Sequence, residues 1–252
     1  MEPDQYLAAL ERDGHLLAGA AQRSGMGAPI PPCQPWRMRD LLRHIRYIHW
    51  SAGTHVREAR DRVITGPSEA ELLSGGPPDA GLLEAYREGH RALVETLRSA
   101  DPATSCATFL PAPSPLTFWA RRQAHETAIH RADAELAAGR VTPFDPEFAA
   151  DGIDELIMGF APREKPAVSP QTACTLQLKA TDTGDGWHVV IGSGGIQARR
   201  GQDRASAVVS GPAAALYLLL WNRQDPRSAG VTVCGDSSVL ALWRDVVQVR
   251  WA

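Results

Sequence analysis

The chain has 252 residues, which is enough for one large domain or two modest ones. Its 44% hydrophobic and 22% charged residues are ordinary for a soluble globular protein, and a net charge of −3 gives no reason to expect nucleic acid or an anionic membrane as a partner. No apolar run approaches the roughly 20 residues that span a bilayer, and no signal peptide follows the acidic N-terminus, so we expect a cytoplasmic protein.

The first 160 residues have the hydrophobic periodicity of helices. Leucines recur at spacings near three and four along each helical stretch, and clusters of glycine and proline separate the stretches. The predicted helices cover residues 6–17, 36–56, 80–97, 118–138 and 146–158. Four long helices joined by loops are typical of a bundle, and bundle cores commonly hold metals on facing helices.

The composition changes after residue 160. Residues 161–170 are rich in proline, and we interpret them as a linker. The hydrophobic period then becomes two, which indicates half-buried strands. The predicted strands cover 174–180, 187–191, 205–210 and 231–234, with a turn at 183–186 and helices over 213–221 and from Ser238. We therefore predict a helical bundle over residues 1–160 and a small α+β domain over residues 171–252.

The four cysteines are scattered and form no CxxC pair, so a thiolate zinc site or a redox motif is not expected. In a reducing compartment they should remain free thiols.

Two helical segments carry candidate metal ligands. Glu126 and His130 are four residues apart, which places them about 40° apart on one helix face, and His44 lies on another predicted helix. These three residues can supply two imidazole nitrogens and a carboxylate oxygen, and they leave the coordination sphere open, as a catalytic metal requires. The sequence therefore predicts a metal site at His44, Glu126 and His130, in preference to an exposed Glu–His pair.

The segment beginning at His125 superficially resembles the HExxH helix of zinc proteases, but it reads HExxxH. His125 and His130 diverge by about 140° on a helix, so they should not share a metal. The geometry makes Glu126 a ligand instead of a base, and we reject the protease interpretation.

Several neighbours of the triad admit more than one role. Asp40, one turn before His44, could be a ligand, a partner that orients the His44 ring, or an acid favoured by the helix dipole. Asp133 could accept a hydrogen bond from a ligand ring or from Arg131. His49 and His55 lie off the face of His44, and we expect them at the surface.

Together the motifs resemble a known family. The pattern W-x-x-x-D-L-x-x-H at 36–44 and the pattern H-E-x-x-x-H-R-x-D at 125–133 resemble those of the mycothiol-dependent maleylpyruvate isomerase family. In the C-terminal half the features of the same family correspond to Asp182, Trp187, residues 216–223 and Gly235-Asp236. The resemblance covers nearly the whole chain. It implies a DinB-like four-helix bundle followed by the family's small α+β domain.

The resemblance also implies a chemistry. His44, Glu126 and His130 would bind a divalent cation, usually zinc, which activates a low-molecular-weight thiol as a thiolate. The thiolate would add to the double bond of maleylpyruvate, permit rotation and leave, and related bundles use such thiols for S-transfer. The arginine-rich composition agrees with an actinobacterial source, in which mycothiol is the expected thiol. The partners would be this thiol and a small substrate, acting on a monomer or homodimer.

An anionic dicarboxylate substrate requires cationic groups, and Arg223 is the best catalytic candidate. Arg43, Arg121 and Arg122 are weaker ones. The donor set also suits nickel, iron or manganese. Two other functions remain open, namely a hydrolase with a metal-activated water and a non-catalytic ligand-binding module.

Overall fold

The computed structural model describes residues 1–64, 66–164 and 173–248. The chain divides into two compact units, of which the first comprises Met1–Thr142 and the second begins at Pro143. The first unit is helical and the second contains a five-stranded sheet, which confirms the predicted combination of a helical part with a small α+β part. Among the described residues, no helix has both the length and the apolar character needed to cross a membrane.

Four long helices form the body of the first unit, and each includes a stretch whose apolar periodicity predicted a helix. Helix α1 (Pro3–Ser24) packs against the fourth and fifth helices, and α2 (Met38–Arg57) packs against the same two. Their shared core includes Leu17, Leu41, Ile45 and Tyr86, all fully buried. The helices of this unit are α1 (Pro3–Ser24), α2 (Met38–Arg57), α3 (Glu69–Ser74), α4 (Asp79–Ser99) and α5 (Pro115–Ala137).

Small residues allow the helices of the first unit to approach closely. On α5, Ala124, Ala128 and Ala132 are fully buried, as expected for a helix face with close neighbours. On α1, a Cβ at Gly14 would lie 2.1 Å from Nε2 of His90 on α4. Only glycine therefore fits at that crossing.

Capping residues explain where two helices begin. Ser114 accepts a hydrogen bond from the Thr117 amide, and Pro115 occupies the first helical position, so α5 starts three residues before the predicted start at Phe118. The short helix α3 was not predicted. Its Ser68 and Glu71 form a capping box, a signal that is readable in the sequence.

The second unit opens with α6 (Pro146–Asp154), which continues through a π-helical turn and a short 3-10 turn to Arg163. The buried ring of Phe148 meets Tyr217 edge-on, with centroids 6.5 Å apart, so α6 packs within this unit. The predicted boundary at residue 160 thus lies inside the second unit. Of the predicted linker, residues 165–170 lie outside the described residues.

The sheet has the order β3-β2-β1-β4-β5, and only the pairing of β1 with β4 is parallel among the described strands. The strand β3 was not predicted. It pairs with β2 through a two-residue connection at Ser193-Gly194. The strands are β1 (Cys174–Ala180), β2 (Gly186–Gly192), β3 (Gly195–Arg200), β4 (Ala207–Gly211) and β5 (Thr232–Gly235).

Two helices complete the second unit, α7 (Ala213–Leu220) and α8 (Ser238–Val246). Asp182 accepts a hydrogen bond from the Ala213 amide at 2.8 Å and so satisfies the N-terminus of α7. Trp187 is fully buried and donates its indole N–H to Oδ1 of Asp154 in this unit. Both family features therefore have structural roles.

Candidate metal centre

The predicted triad comes together in the first unit. His44 lies on α2, while Glu126 and His130 lie one turn apart on α5. Oε1 of Glu126 is 3.4 Å from Nε2 of His44 and 3.3 Å from Nε2 of His130. The three ligand atoms lie within 4.8 Å of one another, and no other group of His, Cys, Asp or Glu in the described residues has this arrangement.

The three donors converge in a largely buried place. His44 is 4% exposed and His130 is 8% exposed, and their rings meet edge-on with centroids 4.8 Å apart. The ring of Trp36 lies beside His44 at a centroid distance of 5.1 Å. Glu126 keeps about a fifth of its side chain exposed, more than either histidine.

A buried carboxylate orients one of the histidines. Nδ1 of His130 lies 2.9 Å from Oδ2 of Asp133, whose side chain is fully buried. Because an ionised carboxylate can only accept, Nδ1 donates to Asp133, and Nε2, which faces the centre, is the nitrogen that would bind a cation after losing its proton. This contact is the first of the two roles predicted for Asp133, and Arg131 pairs with Asp13 and Glu135.

A buried arginine holds the other oxygen of the carboxylate ligand. Nη2 of Arg122 donates to Oε2 of Glu126 at 2.8 Å, and the Arg122 side chain is only 4% exposed. From the sequence, Arg122 is expected only as one of the weaker cationic candidates for binding the substrate. The spacing of four residues between Arg122 and Glu126 is the signal that could have revealed the pair.

The protonation of the donors follows from these contacts. Burial lowers the pKa of His44 and so favours its neutral form. Burial would also raise the pKa of Glu126, but the charge of Arg122 and hydrogen bonds from the two histidines outweigh it and hold that pKa well below its usual range. For His130, the hydrogen bonds to Asp133 and Glu126 outweigh burial, and its pKa is raised.

The donor set fits a divalent cation. Two imidazole nitrogens and one carboxylate oxygen are accepted ligands of zinc and related ions, and a buried carboxylate among histidines is stabilised by a cation. Three protein donors leave at least one coordination position for another ligand. The orienting carboxylate on His130 completes the arrangement usual for metal-bound histidines.

Two residues near the triad in the sequence, Asp40 and His125, have roles that the structure shows. Oδ2 of Asp40 accepts the backbone N–H of Arg37 at 2.8 Å, so Asp40 caps α2, in agreement with the helix-dipole alternative. His125 is fully buried and meets the ring of Tyr6 edge-on, away from the triad, as the helical geometry predicted.

The expectation that His49 and His55 lie at the surface is wrong. His49 is buried, and its Nε2 lies 2.9 Å from Oγ1 of Thr127. His55 is fully buried, stacks on Trp119 and accepts the amide hydrogen bond of Ile64. Both histidines are inside because α2 contacts both α4 and α5, so more than one of its faces is covered.

The remaining cationic candidates have varied surroundings. Arg223 follows α7 in the second unit, and its Nη1 donates to the carbonyl of Trp221 at 2.7 Å. Arg43 bridges Asp79 and Asp40 on the first unit.

None of the four cysteines forms a disulfide.

Comparison with known proteins places the chain in a family. Residues 7–135 match the family model described as the mycothiol maleylpyruvate isomerase N-terminal domain, and residues 147–242 match the MDMPI C-terminal domain. The chain belongs to the mycothiol maleylpyruvate isomerase family. The resemblance inferred from the two helical segments is thereby confirmed, and the family takes its name from an isomerase, one of the two enzyme classes, isomerase and S-transferase, that were predicted.

Solved structures share this fold. The crystal structure of the mycothiol-dependent maleylpyruvate isomerase is 15% identical with a TM-score of 0.66, and that of a histidine-to-alanine mutant of this enzyme is 16% identical with a TM-score of 0.65. Each match covers 92% of this chain and 93% of the other. At such identities the likeness establishes the fold alone. No curated protein sequence matches the chain.

Proposed function

We propose that this protein is a metal-dependent enzyme that uses a low-molecular-weight thiol, mycothiol, to isomerise a small electrophile such as maleylpyruvate or an analogue, or to transfer sulfur to it. Its first unit would be a DinB-like four-helix bundle. The observation that carries the proposal is the convergence of His44, Glu126 and His130 around one point. Family membership supplies the thiol and the reaction class.

The residues of the centre have separate roles. His44, Glu126 and His130 would hold the cation, Asp133 fixes the ring of His130, and Arg122 offsets the charge of Glu126. A cation bound there would lower the pKa of a coordinating thiol, so that a thiolate is present at neutral pH. Zinc is the first choice because its ligands in proteins are these nitrogen and carboxylate donors.

Arg223 is proposed as the cationic group that recognises a carboxylate of the substrate. A guanidinium binds carboxylates through two parallel hydrogen bonds, which fixes orientation as well as charge. The carbonyl of Trp221 accepts a hydrogen bond from this guanidinium and limits its rotamers. A free thiol as cosubstrate requires a reducing compartment, so we propose that the protein acts in the cytoplasm.

The test is turnover by zinc-loaded protein with mycothiol and maleylpyruvate, followed by liquid chromatography, which separates the isomers, and mass spectrometry, which detects thiol conjugates. Isomerisation yields the trans isomer and returns all of the thiol, whereas S-transfer consumes one thiol per product. We expect His44→Ala to abolish either reaction. Product formation without any thiol would instead support a hydrolase, and tight ligand binding with no thiol- or water-dependent product would support the ligand-binding module.

A further inference from the structure

The contact between Arg122 and Glu126 bears on how the carboxylate can bind a metal. Oε1 of Glu126 faces the two histidine nitrogens, while Oε2 accepts the hydrogen bond of Arg122 at 2.8 Å. The two oxygens therefore have different partners. A carboxylate that binds a cation through both oxygens would have to give up or weaken the bond to arginine.

Arg122 is held firmly in this position. Its side chain is 4% exposed, and a buried guanidinium requires an anionic partner because its desolvation is costly. Arg122 and Glu126 are one turn apart on the same helix, a spacing at which an arginine and a glutamate can pair. Charge-assisted bonds of this kind are among the strongest hydrogen bonds in proteins.

We propose that Arg122 is a positioning residue that restricts Glu126 to coordination through Oε1 and thereby increases the selectivity of the centre for zinc over manganese. The inference rests on the proposed metal site. Zinc takes four tetrahedral ligands, so two histidines, one carboxylate oxygen and one external ligand satisfy it. Manganese favours octahedral, oxygen-rich surroundings and benefits from the second carboxylate oxygen that Arg122 occupies.

The experiment measures the dissociation constants of Zn²⁺ and Mn²⁺ for metal-free protein by competition with a chelator. The variants are Arg122→Met, which removes the hydrogen bond, and Arg122→Lys, which keeps the charge but lacks the fixed fork of donors. Arg91→Met is the matched control, because it removes an arginine from an Arg–Glu pair on the exposed surface of α4. Circular dichroism establishes that each variant is folded.

We expect the ratio of the Mn²⁺ to the Zn²⁺ dissociation constant to fall by about tenfold or more in Arg122→Met, the scale typical of lost outer-shell contacts. Arg122→Lys should lie between this variant and the wild type, and Arg91→Met should equal the wild type. If Arg122→Met does not fold, a smaller fall of this ratio in Arg122→Lys, measured against Arg91→Met, decides the question. A ratio unchanged in the folded Arg122 variants overturns the inference while leaving the metal site intact, whereas a wild type that binds neither ion overturns both.

Discussion

Replacing Asp133 tests whether the histidine of the centre is oriented for metal binding. The Asp133 carboxylate accepts the Nδ1 proton of His130 at 2.9 Å and is fully buried. Asp133→Ala removes this acceptor, so the His130 ring can adopt either tautomer and can rotate. Asp133→Asn keeps an acceptor oxygen but removes the charge.

The size of the effect follows from the contact. A hydrogen bond to a charged group contributes about 1.5–3 kcal/mol, and the loss of such an outer-shell partner typically weakens metal binding by about 10–100-fold. The two figures agree, since a tenfold change corresponds to about 1.4 kcal/mol. We expect Asp133→Ala to raise the Zn²⁺ dissociation constant by about 10–100-fold, and Asp133→Asn to raise it by about tenfold.

The assay is chelator competition with Zn²⁺ on metal-free protein. Asp40→Asn is the control, because Asp40 caps α2 without touching the triad and should leave the dissociation constant unchanged. Dissociation constants of both Asp133 variants within about twofold of the wild type would refute the idea that His130 is an oriented ligand.

Three further predictions concern pH, packing and substrate binding. Zn²⁺ affinity should fall by about tenfold per pH unit as the pH drops below the raised pKa of His130, because the proton competes for Nε2; potentiometric titration should detect the proton released on binding. Gly14→Ala should lower the free energy of unfolding in urea by about 1–3 kcal/mol, because its Cβ would collide with a buried ring on α4. Gly19→Ala, whose Cβ would meet only the flexible end of an arginine, should leave this free energy unchanged or raise it. Arg223→Gln should raise KM for an anionic substrate at least about tenfold, in steady-state kinetics, with metal content unchanged.

Part of the centre was predictable because helical spacing alone brings two of its three residues together. Glu126 and His130 are four apart, and that separation is independent of the rest of the fold. The pairing with His44 depends on how α2 and α5 pack, and the family pattern supplied that information. The role of Arg122 was readable from the same spacing, yet a charged pair four apart is usually exposed, and only the fold shows that this one is buried.

Other features were harder to predict. The burial of His49 and His55 depends on which faces of α2 are covered, and a polar side chain gives no hydrophobic signal for it. The strand β3 was missed because its outer half is Gln-Ala-Arg-Arg and its start is glycine-rich, so its period of two is weak. The place of α6 in the second unit depends on its contact with α7, which lies far along the chain.

Metal stoichiometry tests the account most directly. Metal-free protein titrated with Zn²⁺ should bind one equivalent, and His44→Ala, Glu126→Ala and His130→Ala should each lose that binding while keeping the helical content of the wild type. If all three variants retain one tightly bound equivalent, the triad is not the metal site, and the proposed thiol chemistry at this centre fails with it.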